Sequence, residues 1–330
     1  MKKTGLRIAG IASALLLAAC SSPTPGATTA GTTGGTAAAK TYKIGITQIV
    51  AHQSLDASRE GFKKAFADAG LKVTYDEQNA NGDQATATSI ASKFKDGGLD
   101  LVLAIATPTA QATAQAITST PILFTAVTDP VAAKLVASNE APGGNVSGTT
   151  DMNPVAEQIA LIKKIKPDAK SVGIIYSSGE VNSEVQVKAA REAAAKEGLT
   201  VVEKTVTTTA EVQQAASSIT ADSLYVPTDN NVVSGLASVV GVAESKKIPL
   251  VVGEGDSVAK GGVITYGIDY NKLGYQTGQM AVKILTQGAK PATMAVESQT
   301  DLKLYVNKAA AGRMGVTIPA DLLAKAEVVG

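Results

Sequence analysis

The sequence predicts an α/β protein built as two doubly wound lobes with parallel sheets. Short apolar runs alternate with longer stretches of helical period, the pattern in which parallel strands are covered by helices on both faces. The alternation closes near residue 150 and starts again at 154. Behind the first forty residues about 300 remain, more than one hydrophobic core commonly holds.

Residues 43–49 (KIGITQI) have the length and apolar content of a buried strand, and residues 54–69 place Leu55, Phe62 and Phe66 at helical spacing. A second strand follows at 72–75 and a helix at 84–95. Residues 99–106 (LDLVLAIA) form a buried strand, and Pro108 opens a helix, where its missing N–H costs nothing. Strands at 121–127 (PILFTAV) and 146–150 end the first series. The second begins with a helix at 154–165 and a strand at 171–176 (SVGIIY). The helix at 183–197 ends at Gly198, which can take the left-handed conformation that terminates helices. A strand at 200–206, a helix at 210–219 and a strand at 223–226 (SLYV) follow. A helix at 232–245, strands at 249–252 and 262–267, and a helix at 273–285 complete the pattern.

The amino terminus reads as an address and a tether. Lys2, Lys3 and Arg7 precede an uncharged, mostly apolar stretch at 8–19. That is long enough for a signal sequence and short of the roughly 20 residues that span a bilayer. It ends in Leu17-Ala18-Ala19-Cys20, which resembles the bacterial lipobox, with the only Cys of the chain as the lipid acceptor. An ordinary signal peptide cut near Ala19, or a buried structural Cys, is the competing reading. Residues 21–39 are only Ser, Pro, Thr, Gly and Ala, a composition that predicts a flexible linker. The expected order is a signal peptide at 1–19, a lipidated Cys20 with its linker at 20–40, and a globular body held at a membrane by lipid alone, outside the cytoplasm.

Composition excludes several classes. Hydrophobic residues are 45% and charged residues 18%, which is unlike a disordered chain. One Cys cannot form a disulfide within the chain. A formal net charge of +1 gives no footprint for nucleic acid. Nothing points to an enzyme, a cofactor or a metal. His52 is the only His, so the common zinc patterns are unavailable, and no nucleophile elbow, Walker A or dinucleotide fingerprint occurs. Asp129 and Asp229 are the carboxylates available for a glycosidase pair, but there is no Trp and aromatics are 4%, a poor supply for a sugar-stacking groove.

In open α/β sheets ligands bind beyond the carboxyl ends of the strands. The segments there are Gln48 to His52, Thr107 to Thr109, Thr128 to Pro130, Asp151 to Asn153, Ser177 to Ser183, Thr228 to Asn231 and Glu254 to Asp256. All are dense in hydroxyls, amides and carboxylates, and most open onto a helix N-terminus. Each residue taken singly also reads as an N-cap. Their recurrence in both series favours a cleft. His52 fits two roles equally, lining that cleft or sitting hydrogen-bonded at a helix entry.

The segments KIGITQIVAHQSLDASREGF, LAIATPTAQATA, FTAVTDPVAA, YSSGEVNS, YVPTDNNV and YGIDYNKLGYQTGQMAVKIL, in that order, resemble the substrate-binding lipoproteins of ABC importers, in the branch that includes tryptophan-binding members. The resemblance implies a periplasmic-binding-protein type I fold with three hinge crossings, near Thr150, near 268–269 and near 293–297. Lobe 1 is then 41–150 plus 270–294, and lobe 2 is 151–269 plus 295–330. It implies capture of a small metabolite by hinge closure and delivery to an ABC permease with its cytoplasmic ATPase. A purine nucleoside ligand, or a receptor role toward a membrane sensor, stands as the alternative.

An aromatic α-amino acid is the expected ligand, the aromatic preference coming from the resemblance. The candidate ligand-binding residues are Gln48, His52, Thr107, Thr109, Thr128, Asp129, Asp151, Glu180, Asn182, Ser183, Asp229, Asn230 and Tyr270. Beyond the leader the only Arg are Arg59, Arg191 and Arg313, all on or beside helices, so hydroxyls and helix N-termini must hold a carboxylate. Thr107, Thr109, Thr128 and Ser183 are best placed for that. Asp129 and Asp229 lead for the ammonium, with Glu180 and Asp151 behind. Tyr176, Tyr270 and Phe124 are close enough to strand ends to border an apolar side chain.

Overall fold

The computed structural model describes residues 40–330. The signal sequence, Cys20 and the linker through residue 39 lie outside the described residues. The first series runs β1 (Thr41–Gln48), α1 (Gln53–Asp68), β2 (Lys72–Asn79), α2 (Gln84–Lys95), β3 (Leu101–Ile105), α3 (Thr107–Ala116), β4 (Ile122–Val127) and β5 (Val146–Thr150). The second runs α4 (Val155–Ile165), β6 (Ser171–Ser177), α5 (Val181–Lys196), β7 (Thr200–Val206), α6 (Val212–Ser218), β8 (Leu224–Val226), α7 (Asn230–Ser234), α8 (Leu236–Lys246), β9 (Leu250–Val252), α9 (Gly255–Ala259) and β10 (Ile264–Gly267). Then come α10 (Tyr270–Gln287), β11 (Glu297–Ser298), β12 (Lys303–Val306), α11 (Lys308–Arg313), α12 (Ala320–Leu323) and β13 (Ala326–Val328).

Two sheets result, with strand orders β11-β5-β4-β3-β1-β2 and β13-β12-β10-β9-β8-β6-β7. Each has its own hydrophobic core. The chain passes between the sheets three times: after β5, after β10, when α10 returns to the first core through Leu273, Met280 and Ile284, and between β11 and β12. All pairs are parallel except β10 with β12, where the last crossing re-enters the second sheet antiparallel. Because Glu297–Ser298 pairs with β5, the first sheet extends past residue 294, the boundary the resemblance implied.

Other differences have local causes. β2 reaches Asn79, not residue 75, because it is an edge strand whose polar end (DEQN) needs no burial. The helix expected at 232–245 is broken at Gly235, where a side chain would press within 3.2 Å of Val212. The short α9 was invisible as an apolar period; it exists because Glu254 caps it through the Ser257 N–H.

Candidate functional site

In each sheet the strand order reverses beside the first strand: β1 lies between β2 and β3, and β6 between β7 and β8. Such reversal points leave a crevice at the carboxyl edge. Loops from both edges meet around a narrow cavity between the lobes. The first lobe contributes His52, Ser54 and Leu55 after β1, Ala126 and Thr128 at the end of β4, and Asp151 after β5. The second contributes Asn182, Thr228, Asn230, Val233 and Glu254, while Tyr270 starts α10 at the crossing. Two hydrogen bonds join the lobes beside it, Ser54 Oγ to Glu254 Oε2 at 2.9 Å and Gln53 Nε2 to Asp256 Oδ1 at 3.1 Å.

Close helix packing sets Tyr270 in place. A Cβ on Gly274 would lie 1.8 Å from the Ser58 carbonyl oxygen, and one on Gly61 would lie 2.0 Å from that of Asn271. Only glycine lets α1 and α10 approach this far, and Ser58 Oγ then reaches the Tyr270 carbonyl at 3.1 Å. Backbone irregularity shapes the opposite wall. Ala126 has a φ of 55°, within the register shift between β4 and β5, so the strand bulges at the cavity.

The cavity is acidic. Asp151 is 4% exposed; its Oδ2 accepts the Tyr270 hydroxyl at 2.7 Å and its Oδ1 that of Thr128 at 3.2 Å. Burial raises its pKa despite both donors. Glu254 accepts Ser54 Oγ together with the Ser257 N–H and hydroxyl. Burial, with Asp256 nearby, pushes it up to about 7. Burial drives His52 down to about 4, so the imidazole is neutral at neutral pH and supplies no positive charge. No Lys or Arg among the described residues lines the cavity. Among the described residues no cluster of His, Cys, Asp or Glu could hold a metal ion.

The cavity also carries unspent hydrogen-bonding capacity. His52 Nδ1 and Asn182 Oδ1 are buried without a partner. Helix α1 starts at His52 with no side-chain cap, and Ser54 and Leu55 of its first turn face the cavity. Its first N–H groups are therefore available to an anionic group.

Of the sequence candidates, the structure brings His52, Thr128, Asp151, Asn182, Asn230 and Tyr270 together at this cavity. Others are held in different work. Asp229 is fully buried within the second lobe, where Oδ2 accepts the Ser177 N–H and, at 2.6 Å, the Ser183 hydroxyl, while Oδ1 caps α7 at the Val232 N–H. Neither it nor Ser183 lines the cavity. Asp129 caps the turn after β4 through the Val131 and Ala132 N–H groups. Gln48 is occupied by the Val50 carbonyl, Asp56 and Arg59. The Thr109 hydroxyl returns to the Ile105 carbonyl at 2.7 Å. Thr107 keeps a buried hydroxyl without a partner at the start of α3, off this cavity. Tyr176 turns to Glu203 and Phe124 is sealed in the first core. Glu180 lies behind Asn182 and Asn230, on a neighbouring cavity. Glu254, Ser54, Leu55, Ala126, Thr228 and Val233 also line the cavity and are not among the sequence candidates. Glu254 and Thr228 carry a signal, since both fall in post-strand segments, Glu254 two residues beyond the end of β9.

Residues 43–329 match the family described as ABC transporter substrate binding protein, and the chain belongs to it. Its members bind solutes and are not enzymes. The tyrosine-binding protein of Clostridioides difficile (strain R20291) is 42% identical over 313 residues, covering 93% of this chain and 90% of that one. Among solved structures, an ABC domain from Streptococcus pneumonia in complex with L-Trp is 38% identical, with a TM-score of 0.85 over 88% of this chain and 100% of that one. The ligand-free, open structure of a substrate binding protein with adhesive properties from Clostridium difficile is 46% identical, with a TM-score of 0.66 over 87% and 99% of the two chains. A 5-methylthioribose-binding protein from Thermotoga lettingae, 13% identical with a TM-score of 0.59, shares the fold alone.

Proposed function

We propose that this protein captures an aromatic α-amino acid, tyrosine or tryptophan, between its lobes and delivers it to an ABC permease driven by a cytoplasmic ATPase. The observation that carries the reading is the pair of buried carboxylates, Asp151 and Glu254, on a cavity lined by no Lys or Arg among the described residues. A buried carboxylate is costly unless a cation accompanies it. The ligand ammonium is that cation. The ligand carboxylate goes to the uncapped first turn of α1, and Tyr270, Leu55 and Val233 border its side chain. The ligands named for the tyrosine-binding relative and the L-Trp complex support the same class.

Hinge closure belongs to this proposal. The chain superposes better on the L-Trp complex than on the open structure, although it is less similar in sequence to the complex. Cys20, lipidated after cleavage of residues 1–19, would anchor the protein to a membrane of the cell envelope, outside the cytoplasm. Titration calorimetry against the twenty amino acids, a nucleoside panel and a sugar panel tests the ligand class. Binding of tyrosine or tryptophan is expected; a nucleoside or sugar bound with no amino-acid signal overturns it.

A further inference from the structure

Glu180 follows β6 at the start of α5, is 7% exposed, and does not cap its own helix with its side chain. Three asparagine amides surround it instead. Oε2 accepts Nδ2 of Asn182 at 2.9 Å and Nδ2 of Asn230, and Oε1 accepts Nδ2 of Asn231 at 3.4 Å. Asn182 and Asn230 line the ligand cavity, whereas Glu180 and Asn231 face the neighbouring cavity with Ser177 and Thr207.

An asparagine amide has a donor end and an acceptor end; burial, with Asp229 nearby, pushes Glu180 up to about 8, so it holds a proton near neutral pH, yet all three amides reach its oxygens through their NH₂ ends. Glu180 therefore draws the NH₂ ends to itself and turns the carbonyl ends away. Asn182 Oδ1 is the atom left buried without a partner in the cavity wall. Asn230 meets the imidazole of His52 from the opposite lobe.

We propose that Glu180 is a positioning residue that orients Asn182 and Asn230 so that the second-lobe wall presents carbonyl oxygens, selecting ligands that carry an ammonium over analogues that lack one. This rests on the amino-acid reading above. The ammonium has three N–H groups; Asp151 or Glu254 takes one and Asn182 Oδ1 another. A ligand with hydrogen or an acyl oxygen in that place leaves the carbonyl unpaired, and unpaired buried groups are what make such sites selective. Glu180 touches no ligand atom, because the amides stand between.

The test measures affinity for tyrosine and for its deaminated analogue, 3-(4-hydroxyphenyl)propionate, in the wild type, Glu180→Gln, and Glu180→Gln combined with Asn182→Asp. In Glu180→Gln the new NH₂ group forces an amide to turn. Tyrosine affinity should fall about tenfold to hundredfold while the analogue changes by less than about threefold. The double variant returns a carboxylate oxygen to the wall and should recover the preference for tyrosine. An unchanged preference in Glu180→Gln, an equal loss for both ligands, or no recovery in the double variant overturns the proposal. Side-chain amide NMR decides the positioning without any ligand: the NH₂ resonances of Asn182 and Asn230 must both move in Glu180→Gln, and unmoved resonances overturn it. If the wild type binds neither tyrosine nor tryptophan, the functional reading falls while the amide spectra still judge the role of Glu180.

Discussion

Asp151 takes two hydroxyl donors from two different elements, Thr128 at the end of β4 and Tyr270 at the head of α10. This fixes the carboxylate at the crossing between the lobes and leaves it short of a counter-charge. Asp151→Asn keeps the shape and removes the charge. Truncating one partner of a buried ion pair costs on the order of 2–5 kcal/mol, so tyrosine affinity should fall roughly 30-fold to several-thousand-fold by calorimetry. Glu254 supplies a pH test. Its folded value, about 7, stands above its ordinary 4.5. The stability this contributes to the unliganded protein is fully present below the unfolded value and lost as pH rises through about 7. A bound ammonium favours the ionised form, so binding expels protons and tightens as pH rises from about 5.5 to about 8. Calorimetry at neutral pH in two buffers of different ionisation enthalpy should report proton release; proton uptake or a flat pH profile contradicts the assignment. At this scale the sequence was legible as to which loops matter and less so as to which atoms are free. Asp229 and Asp151 look alike in sequence, each a carboxylate just after a strand. Only the fold shows that two backbone N–H groups and a hydroxyl claim the former.

The contact of α1 with α10 is the element on which the cavity depends. Gly274 and Gly61 let the two backbones meet, and Gly278 continues the contact against Phe62. Gly274→Ala drives a methyl into the Ser58 carbonyl and should cost about 1–3 kcal/mol or more, read as a lower denaturation midpoint, with weaker ligand binding as Tyr270 shifts. Gly241→Ala, on the exposed face of α8 with nothing within 4 Å, should stabilise by about 0.5–1 kcal/mol. Equal effects at the two positions would refute the close-packing argument. The alternation of strands and helices was readable because buried parallel strands are nearly all apolar, as in β3 and β4. What lay beyond reading was held together by partners distant in sequence. β11 is two residues long and exists through β5, and β13 exists through β12.

Across the whole molecule, closure is the expected response to ligand. Small-angle scattering should show a smaller radius of gyration at saturating tyrosine, and no change for Asp151→Asn at the same concentration. At the amino terminus, Cys20→Ala should release the protein from membranes into the soluble fraction; retention would disprove the anchor. The two-lobed plan was legible in the doubled pattern, whereas the crossings came from family resemblance, since periodicity does not say to which sheet a helix returns. The re-entrant path also has a consequence for synthesis. A chain that emerges amino terminus first makes β1 through β5 early, but the helix that covers their face and the strand that completes their edge arrive only when residue 298 of 330 has appeared. Until then Gly61 and the flank of α1 that packs on α10 lack their partner. The first lobe therefore cannot mature ahead of the second, and a segment ending at 150 should not fold alone. A nascent polypeptide kept loose in this way stays threadable until almost all of it has been made, as the proposed leader would require if it sends the chain unfolded through a translocation channel.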